Sequence, residues 1–409
     1  MKSYAADRLH NLQESVIRSI TRYAFDKGAI LLAQGFPDFD PPPEVLDEAG
    51  KAMRSGRNQY GMTWGQPSLR QAIAQKSRRF YGQEVDPDRH VTVTCGVTEA
   101  VTAALLGVVN PGDKVVVLEP AHENYHAGIA FAGGIPVWVP LRPPDYQFDP
   151  DELARAFEQK PKAVLFNSPH NPSGGVFTEQ ELSTIRHLCV HHDVVAITDE
   201  IYEHLVFDGL RHIPIATLPG MQDRTITICG LGKTFAVTGW RVGYCIASPD
   251  LTDALRKVHD FTTVCAPTPL QEAMAAVIGL PDSYYQWLQA FYASRRARML
   301  GILDRYGFRY AVPEGAYYVM ADFRHLGRGD DDMAFAYWLI DEIGVATVPG
   351  SSFYASSPAL GRGLVRFAFP KRDETLDTVE ERFRKLPVYL PVNGDRYRPR
   401  RVSSDNSSS

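Results

Sequence analysis

Hydrophobic and polar positions change rhythm twice along the chain. Up to about residue 90 the spacing is helical, and it predicts amphipathic helices over residues 14–25, 43–54 and 68–81. Between them, Gln34-Gly35-Phe36-Pro37-Asp38 and the stretch 58–65 are too rich in Gly, Pro and aromatics for regular structure, so both are expected to be loops. Aromatics in loops often mark binding surfaces. The basic residues of the third helix are assigned to a solvated face. From Val91 short β-branched runs alternate with amphipathic helices: strands over 91–94, 114–119, 136–141, 162–167 and 193–199, helices from Thr98, Glu123, near Asp149 and from Thr178. That alternation predicts an α/β fold with a mostly parallel sheet covered on both faces. Two more β-rich runs, 224–229 and 240–247, place Lys233 in a tight connection between buried elements and start the second of them near Arg241. Beyond lie helices over 251–261 and 271–278 and a long one over 282–306 that could bridge domains. Strands over 316–322, 345–348 and 364–369, with helices near 332–342 and 373–386, then predict a smaller α+β unit.

Length sharpens this division. At 409 residues the chain exceeds the ~250–300 at which single cores stop growing. We expect an N-terminal arm with part of the small domain over 1–45, a large domain over 46–285, the rest of the small domain over 286–390, and a tail over 391–409. The Arg- and Ser-rich tail is too polar to order itself. A hydrophobic fraction of 44%, a charged fraction of 22% and a net charge of -5 suit a soluble globular protein and argue against nucleic acid as a partner. No run of ~18 apolar residues could span a bilayer and the start lacks an apolar signal region, which predicts a cytoplasmic protein without membrane contact. Cys95, Cys189, Cys229, Cys245 and Cys265 show no C-x-x-C spacing and are expected as free thiols, with neither disulfides nor a metal site.

In parallel sheets ligands bind beyond the carboxyl ends of the strands, and those ends hold the chain's most reactive residues. Lys233 is a candidate nucleophile, because partial burial lowers an amine's pKa and permits a Schiff base. Gly96-Val97-Thr98 sits between a strand and a helix, where free N–H groups and the helix dipole can hold a phosphate. Two prolines bracket Asn171 and fix its backbone. Asp199 ends an apolar strand and needs a cation; Arg241 needs an anion. An amine for a Schiff base, a carboxylate for a pyridinium nitrogen, Asn and Tyr for a phenolate, and a helix N-terminus with Arg for a phosphate are together what pyridoxal 5′-phosphate requires.

G-V-T-E-A, N-S-P-H-N-P-S-G, T-D-E-I-Y-E-H, G-K-T-F-A-V-T-G-W-R-V-G-Y and L-V-R-F-A-F resemble the class I/II aminotransferases of PLP fold type I. Q-G-F-P-D-F-D-P-P and N-Q-Y-x-x-T-W-G are similar to the branch with kynurenine, glutamine and methionine aminotransferases. The resemblance implies a seven-stranded, mostly parallel large-domain sheet and a homodimer with shared active sites. It implies Lys233 as the Schiff-base lysine and proton carrier, Asp199 on the ring nitrogen, and Tyr202 and Asn171 on the ring oxygen. It further implies Gly96, Val97, Thr98 and Arg241 at the phosphate, Tyr60 reaching the phosphate of the neighbouring subunit, and Arg366 with the Gly35 backbone at the substrate α-carboxylate. Amino-group transfer from an L-amino acid to a 2-oxo acid is the expected activity; β/γ-elimination or replacement on the same cofactor is the alternative, and a non-catalytic regulator is disfavoured by the intact set.

Two positions depart from the family pattern. His122 stands where an aromatic ring commonly stacks on the cofactor, and it could stack or move protons. Gly230 stands where a serine often binds the phosphate, and the lost hydroxyl is expected to shift the cofactor's tilt or admit water. No second carboxylate-binding arginine is evident, so aspartate is not assigned as substrate. Tyr23, Phe36, Trp64, Tyr125, Tyr317 and Phe353 are candidates for a side-chain pocket.

Overall fold

The computed structural model describes residues 4, 6–10, 12 and 14–386; the 391–409 tail lies outside the described residues. The β-branched runs after residue 90 lie side by side as strands β2 (Val91–Thr94), β3 (Lys114–Glu119), β4 (Ile135–Pro140), β5 (Ala163–Asn167), β6 (Val195–Asp199), β7 (Thr225–Gly230) and β8 (Gly243–Ile246). Their order is β2-β8-β7-β6-β5-β3-β4. Strands β7, β6, β5, β3 and β4 run parallel, and β8 is antiparallel to both of its neighbours. Alternate side chains serve opposite faces, as the pleat demands. Val115, Val117, Leu165 and Ile197 share one apolar cluster, while Val116, Val164, Phe166 and Ala196 share another.

Helices α1 (Val16–Asp26), α2 (Pro43–Arg54) and α3 (Pro67–Tyr81) precede the sheet; α4 (Val97–Val108), α5 (Glu123–Phe131), α6 (Pro150–Glu158) and α7 (Glu179–His192) connect its strands. Helices α4 and α5 cover the first face, α6 and α7 the second. Local chemistry starts these helices where the crossovers need them. Asp149 accepts from the amides of Asp151 and Glu152 ahead of Pro150. Thr178 and Glu181 form a reciprocal capping box.

After β7 come α8 (Leu231–Thr234), α9 (Pro249–Thr262), α10 (Thr268–Val277) and the 24-residue α11 (Asp282–Arg305). Near the start of α11, Tyr284 donates to the Thr234 carbonyl at 2.7 Å. Farther along, Met299, Ile302 and Leu303 pack on β10 (Tyr318–Asp322) and β13 (Leu364–Ala368). The helix therefore links the large sheet to a second, antiparallel sheet of order β12-β13-β10-β9, with β9 at Arg309–Tyr310 and β12 at Val348–Pro349. Helices α12 (Asp332–Trp338) and α13 (Asp373–Phe383) complete this unit. Strand β1 (Ile30–Leu31) pairs in parallel with β11 (Val345–Ala346), which brings the N-terminal segment onto it.

Lys233 lies in the connection between the buried strands β7 and β8, as expected, within the short helix α8, whose Leu231 and Thr234 are buried. Three expectations are corrected. Arg241 does not begin a strand: its φ of 55° breaks the backbone direction after a 3-10 turn over Thr238–Trp240, and β8 starts at Gly243. The run 345–348 divides between two sheets. The basic residues of α3 form a solvated face only in part: Arg78 and Arg79 are exposed, but Arg70 and Lys76 are buried. Arg70 donates to the carbonyls of Gly65 and Pro87 at 3.1 and 2.7 Å and pairs with Asp88.

Lys76 pairs with Glu203, four residues beyond the end of β6, and donates to Tyr244 Oη at 2.9 Å; Tyr81 Oη donates to the same carboxylate at 2.7 Å. Burial alone would lift the Glu203 carboxyl, but the Lys76 ammonium, His204 and the Tyr81 hydroxyl together outweigh it and hold the group down to about 2. Removing one member leaves a buried charge alone. Lys76→Met should therefore cost about 3–5 kcal/mol in denaturant unfolding, and Lys76→Met with Glu203→Gln should recover most of it. Equal losses in the single and double variants would contradict a charge-based role.

Candidate active site

The carboxyl ends of β5, β6 and β7 place three polar groups along one edge of the sheet. Asn167 and Asp199 are register partners on β5 and β6, and Gly230 ends β7 three residues before Lys233. These residues line one cavity of about 570 Å³, within the size range of cofactor and small-molecule sites. Of the residues predicted for the site, Gly35, Gly96, Val97, Thr98, His122, Asn171, Asp199, Tyr202, Lys233, Arg241 and Arg366 all line it. Tyr60 does not: it is 86% exposed on the surface.

Lys233 Nζ donates to the Gly35 carbonyl at 2.8 Å and lies 5.2 Å from the Tyr317 ring centre. Removal from water, reinforced by the positive charges of Arg241 and Arg366, pushes its amine down to about 7. Asp199 is buried at 7% exposure and accepts from Tyr125 Oη at 2.8 Å and from the Ile201 amide at 3.2 Å. No cation lies within ion-pair distance of it among the described residues, and burial pushes its carboxyl up to about 6. A carboxylate in this state favours a cationic partner delivered by a ligand.

The Asn171 amide nitrogen of the backbone donates to Asn167 Oδ1 at 2.6 Å, and Asn167 Nδ2 donates to the Asp199 carbonyl at 2.6 Å. This chain ties the proline-rich turn to the end of β6. The prolines stand in cis bonds, Ser168–Pro169 and Asn171–Pro172. Arg366, on β13, donates through Nη1 to Asn171 Oδ1 at 2.7 Å and through Nη2 to the Ala33 carbonyl at 2.6 Å. Its Nε is buried without a partner, and its guanidinium lies 4.2 Å from the Tyr318 ring centre. Because Asn171 Oδ1 already accepts, its side-chain NH2 remains the group able to donate into the cavity. Tyr202 Oη bonds to Tyr318 Oη at 2.9 Å, and burial raises the Tyr202 hydroxyl's pKa.

The other end of the cavity suits an anion. Gly96, with φ of 80°, precedes α4, whose first turn has no side-chain cap. A Cβ on Gly96 would come within 2.3 Å of Arg241 Nη2, and its φ of 80° is a conformation that favours glycine. Arg241 is exposed and donates only to the Thr238 carbonyl, at 3.2 Å, with no carboxylate partner among the described residues. An uncapped helix start beside an uncompensated guanidinium, and an unpaired buried carboxylate at the other end, fit a phosphorylated pyridine carrying a ring cation.

His122 accepts the Asn124 amide at Nδ1 (3.2 Å) as the N-cap of α5. Burial, aided by Arg366 and Lys233, pushes its imidazole down to about 3. The ring is thus neutral with one nitrogen already engaged, which suits stacking better than proton transfer near neutral pH. At Gly230 the expected opening for water is not there: an added Cβ would stand 2.4 Å from Ile201 Cδ1 and 3.0 Å from Val97 Cγ2, so apolar groups already fill the space.

Of the side-chain pocket candidates, Phe36 and Tyr125 line the cavity. Tyr23 bonds to Asp341 on the surface, Trp64 lies under Arg256, Tyr317 donates to the Gly35 carbonyl, and Phe353 is core. Among the lining residues not singled out in the sequence are Ile201 as a filler, Tyr318 as the partner of Tyr202, and Arg18 of α1. Ile201 lies inside the T-D-E-I-Y-E-H motif and Tyr318 follows the pocket candidate Tyr317; Arg18 carries no local signal beyond its place on an amphipathic helix.

Residues 27–383 match the family described as aminotransferase class I and II. The chain is 37% identical to kynurenine–oxoglutarate transaminase 3 of Mus musculus over 411 aligned residues, covering 94% of this chain and 90% of the mouse protein. It is 34% identical to the methionine aminotransferase of Escherichia coli K12, covering 93% and 97% of the two chains. The solved structure of N-succinyldiaminopimelate aminotransferase from Mycobacterium tuberculosis superposes with a TM-score of 0.90 at 39% identity, covering 94% of this chain and all of that one.

The packing at Gly230 can be tested directly. Gly230→Ser should cost about 1–3 kcal/mol by overpacking and weaken pyridoxal phosphate binding, whereas Gly230→Ser with Ile201→Ala should recover both. Thermal unfolding and cofactor titration read the two effects. A single variant as stable as the native protein would show that the space is not filled.

Proposed function

This chain belongs to the class I and II aminotransferases and uses pyridoxal phosphate to move an amino group from an amino acid to a 2-oxo acid; on that premise we propose which of its residues do so. Bound pyridoxal phosphate supplies an aldehyde that condenses with amines and a ring that draws electrons from the attached carbon. Lys233 would be the amine that holds the cofactor covalently. Its amine, pushed down to about 7, is substantially neutral at neutral pH, and this single observation carries the assignment. With substrate bound, the same Lys233 Nζ would be the base placed to hold and move the proton of the substrate's Cα.

Asp199 would keep the ring nitrogen protonated, a role supported by its burial and by the lack of another cation within ion-pair distance among the described residues. Tyr202 Oη and the Asn171 amide would donate to the ring oxygen. Gly96, Val97, Thr98 and Arg241 hold the phosphate through the open first turn of α4 and the guanidinium. His122 stacks on the ring as a neutral imidazole. Arg366, with its free Nε, takes the α-carboxylate beside the Gly35 backbone.

Tyr60 completes the phosphate site of a second copy in a cytoplasmic homodimer; its 86% exposure, away from its own chain's cavity, supports that role. The chain divides into a large domain over 46–285 and a small one formed by 286–390 with the arm 1–45; the link through α11 and the β1–β11 pair support this division. Among the described residues no helix is long and apolar enough to cross a membrane.

The test is the pH dependence of reconstitution. Stripped of cofactor, the protein should regain its visible absorbance with pyridoxal phosphate at a rate that rises with pH and levels off above about 7, because the neutral amine is the reacting form. Lys233→Ala should not acquire that absorbance at any pH. A rate still climbing steeply to pH ~10, the range of an ordinary lysine, would overturn the assignment.

A further inference from the structure

The loop that follows β1 gives its carbonyls, one after another, to groups from distant parts of the chain. The Leu32 carbonyl accepts the Ala368 amide at 2.8 Å, and the Ala33 carbonyl accepts Arg366 Nη2 at 2.6 Å. The Gly35 carbonyl accepts Lys233 Nζ at 2.8 Å and Tyr317 Oη at 2.6 Å, and the Phe36 carbonyl accepts Lys371 Nζ at 2.9 Å. Three cations therefore hold one short loop. The reading above, on which this inference rests, gives Arg366 and Lys233 their roles and gives Lys371 none.

Lys371 follows Arg366 by five residues, past the end of β13. It is 2% exposed, and no carboxylate lies within ion-pair distance of it among the described residues. Burial pushes its amine down to about 8, with Asp38 opposing the shift. A buried ammonium without a carboxylate is costly, and both of its close polar and aromatic contacts fall on a single residue. Besides the Phe36 carbonyl, Nζ lies 4.5 Å from the Phe36 ring centre. Phe36 lines the cavity. Two residues on, Asp38 accepts the Arg372 amide and the Thr375 hydroxyl, both at 2.6 Å, which fastens the outer end of the loop to the start of α13. Ala33 is fastened at the inner end, and Lys371 holds the middle, at the residue next to Gly35.

We propose that Lys371 is a positioning residue: by holding the carbonyl and ring of Phe36 it keeps the Gly35 carbonyl against Lys233 Nζ, and so keeps that amine in one place and out of water. A lysine suits this task, since its compact charge needs only one carbonyl and carries no fork that would demand a carboxylate. With an apolar side chain in its place, the Phe36 carbonyl loses its donor and turns to water, and the loop no longer shields Lys233. A wetter amine returns toward the ordinary lysine range, and a displaced one loses rate steeply with distance.

Two measurements on Lys371→Met test this: the pH dependence of cofactor reconstitution and steady-state turnover. The pH above which reconstitution levels off should rise by about one unit or more from its native position near 7, and kcat should fall about tenfold with KM changed less. Arg241, Arg366, Asp199, His122, Tyr202 and Tyr317 face the same amine and are untouched by the substitution, so the shift would come through the loop. Lys371→Arg, which keeps a cation able to donate, should stay nearer the native values in both. A purely structural lysine would lower the unfolding temperature and leave the pH profile and kcat native; that result, or an arginine variant no nearer to native than the methionine one, would overturn the proposal while leaving the role of Lys233 intact. Should Lys371→Met not fold, Lys371→Gln, which draws the donor back without placing an apolar group under the carbonyl, is read by the same two criteria. Native protein whose reconstitution does not level off near 7 would overturn the reading of Lys233 itself.

Discussion

An amine and a carboxylate are held out of water in one cavity without touching each other. Lys233 gives its hydrogen bond to the Gly35 carbonyl, Asp199 takes its bonds from Tyr125 and the Ile201 amide, and no ion pair joins them. Burial disfavours the charged form of each, so the amine falls to about 7 and the carboxyl rises to about 6. A salt bridge would have quenched both. Kept apart, the amine stays nucleophilic and the carboxylate stays available to a ring cation. The rest of the structure can be understood as what keeps these two groups in place and dry.

The five residues from Asp199 to Glu203 show how. Asp199 faces the cavity; Glu200 turns back to accept from Thr198 Oγ1 at 2.8 Å and to meet His212 at 2.7 Å. Ile201 fills the space over Gly230, Tyr202 meets Tyr318, and Glu203 enters the buried cluster of Lys76, Tyr81 and Tyr244. Each side chain is engaged on one side or the other of the segment, and the parallel pairing of β6 with β5 and β7 fixes where it begins. Removing freedom here matters because a cofactor site tolerates little misplacement.

Much of this was legible in the chain. The β-branched runs announced the parallel sheet because strands buried on both faces must be apolar throughout, and the cavity forms at the carboxyl ends where such sheets bind ligands. Lys233, Asp199 and Asn171 could be picked out because each is a residue type that one cofactor requires, and Arg366 because its motif resembles one of the family's. What stayed hidden depends on contacts between distant segments. Lys76 reads as surface on a helical wheel, and only its partner 127 positions away makes it core. The filling of the Gly230 space by Ile201 is a packing fact with no periodicity behind it. Arg18 reaches the cavity because Glu123 captures the start of α1, a contact spanning more than a hundred residues. Arg241 was expected to open a strand, but its positive φ, 55°, turns its side chain toward the Gly96 turn instead.

The account stands or falls on Lys233 as the cofactor's covalent partner. Reducing the holoenzyme with borohydride, digesting it and mapping the phosphopyridoxyl group by mass spectrometry reads that directly. The group should appear on the peptide bearing Lys233 and on no other lysine. Its presence on Lys76, Lys371 or any lysine elsewhere, with Lys233 unmodified, would contradict it.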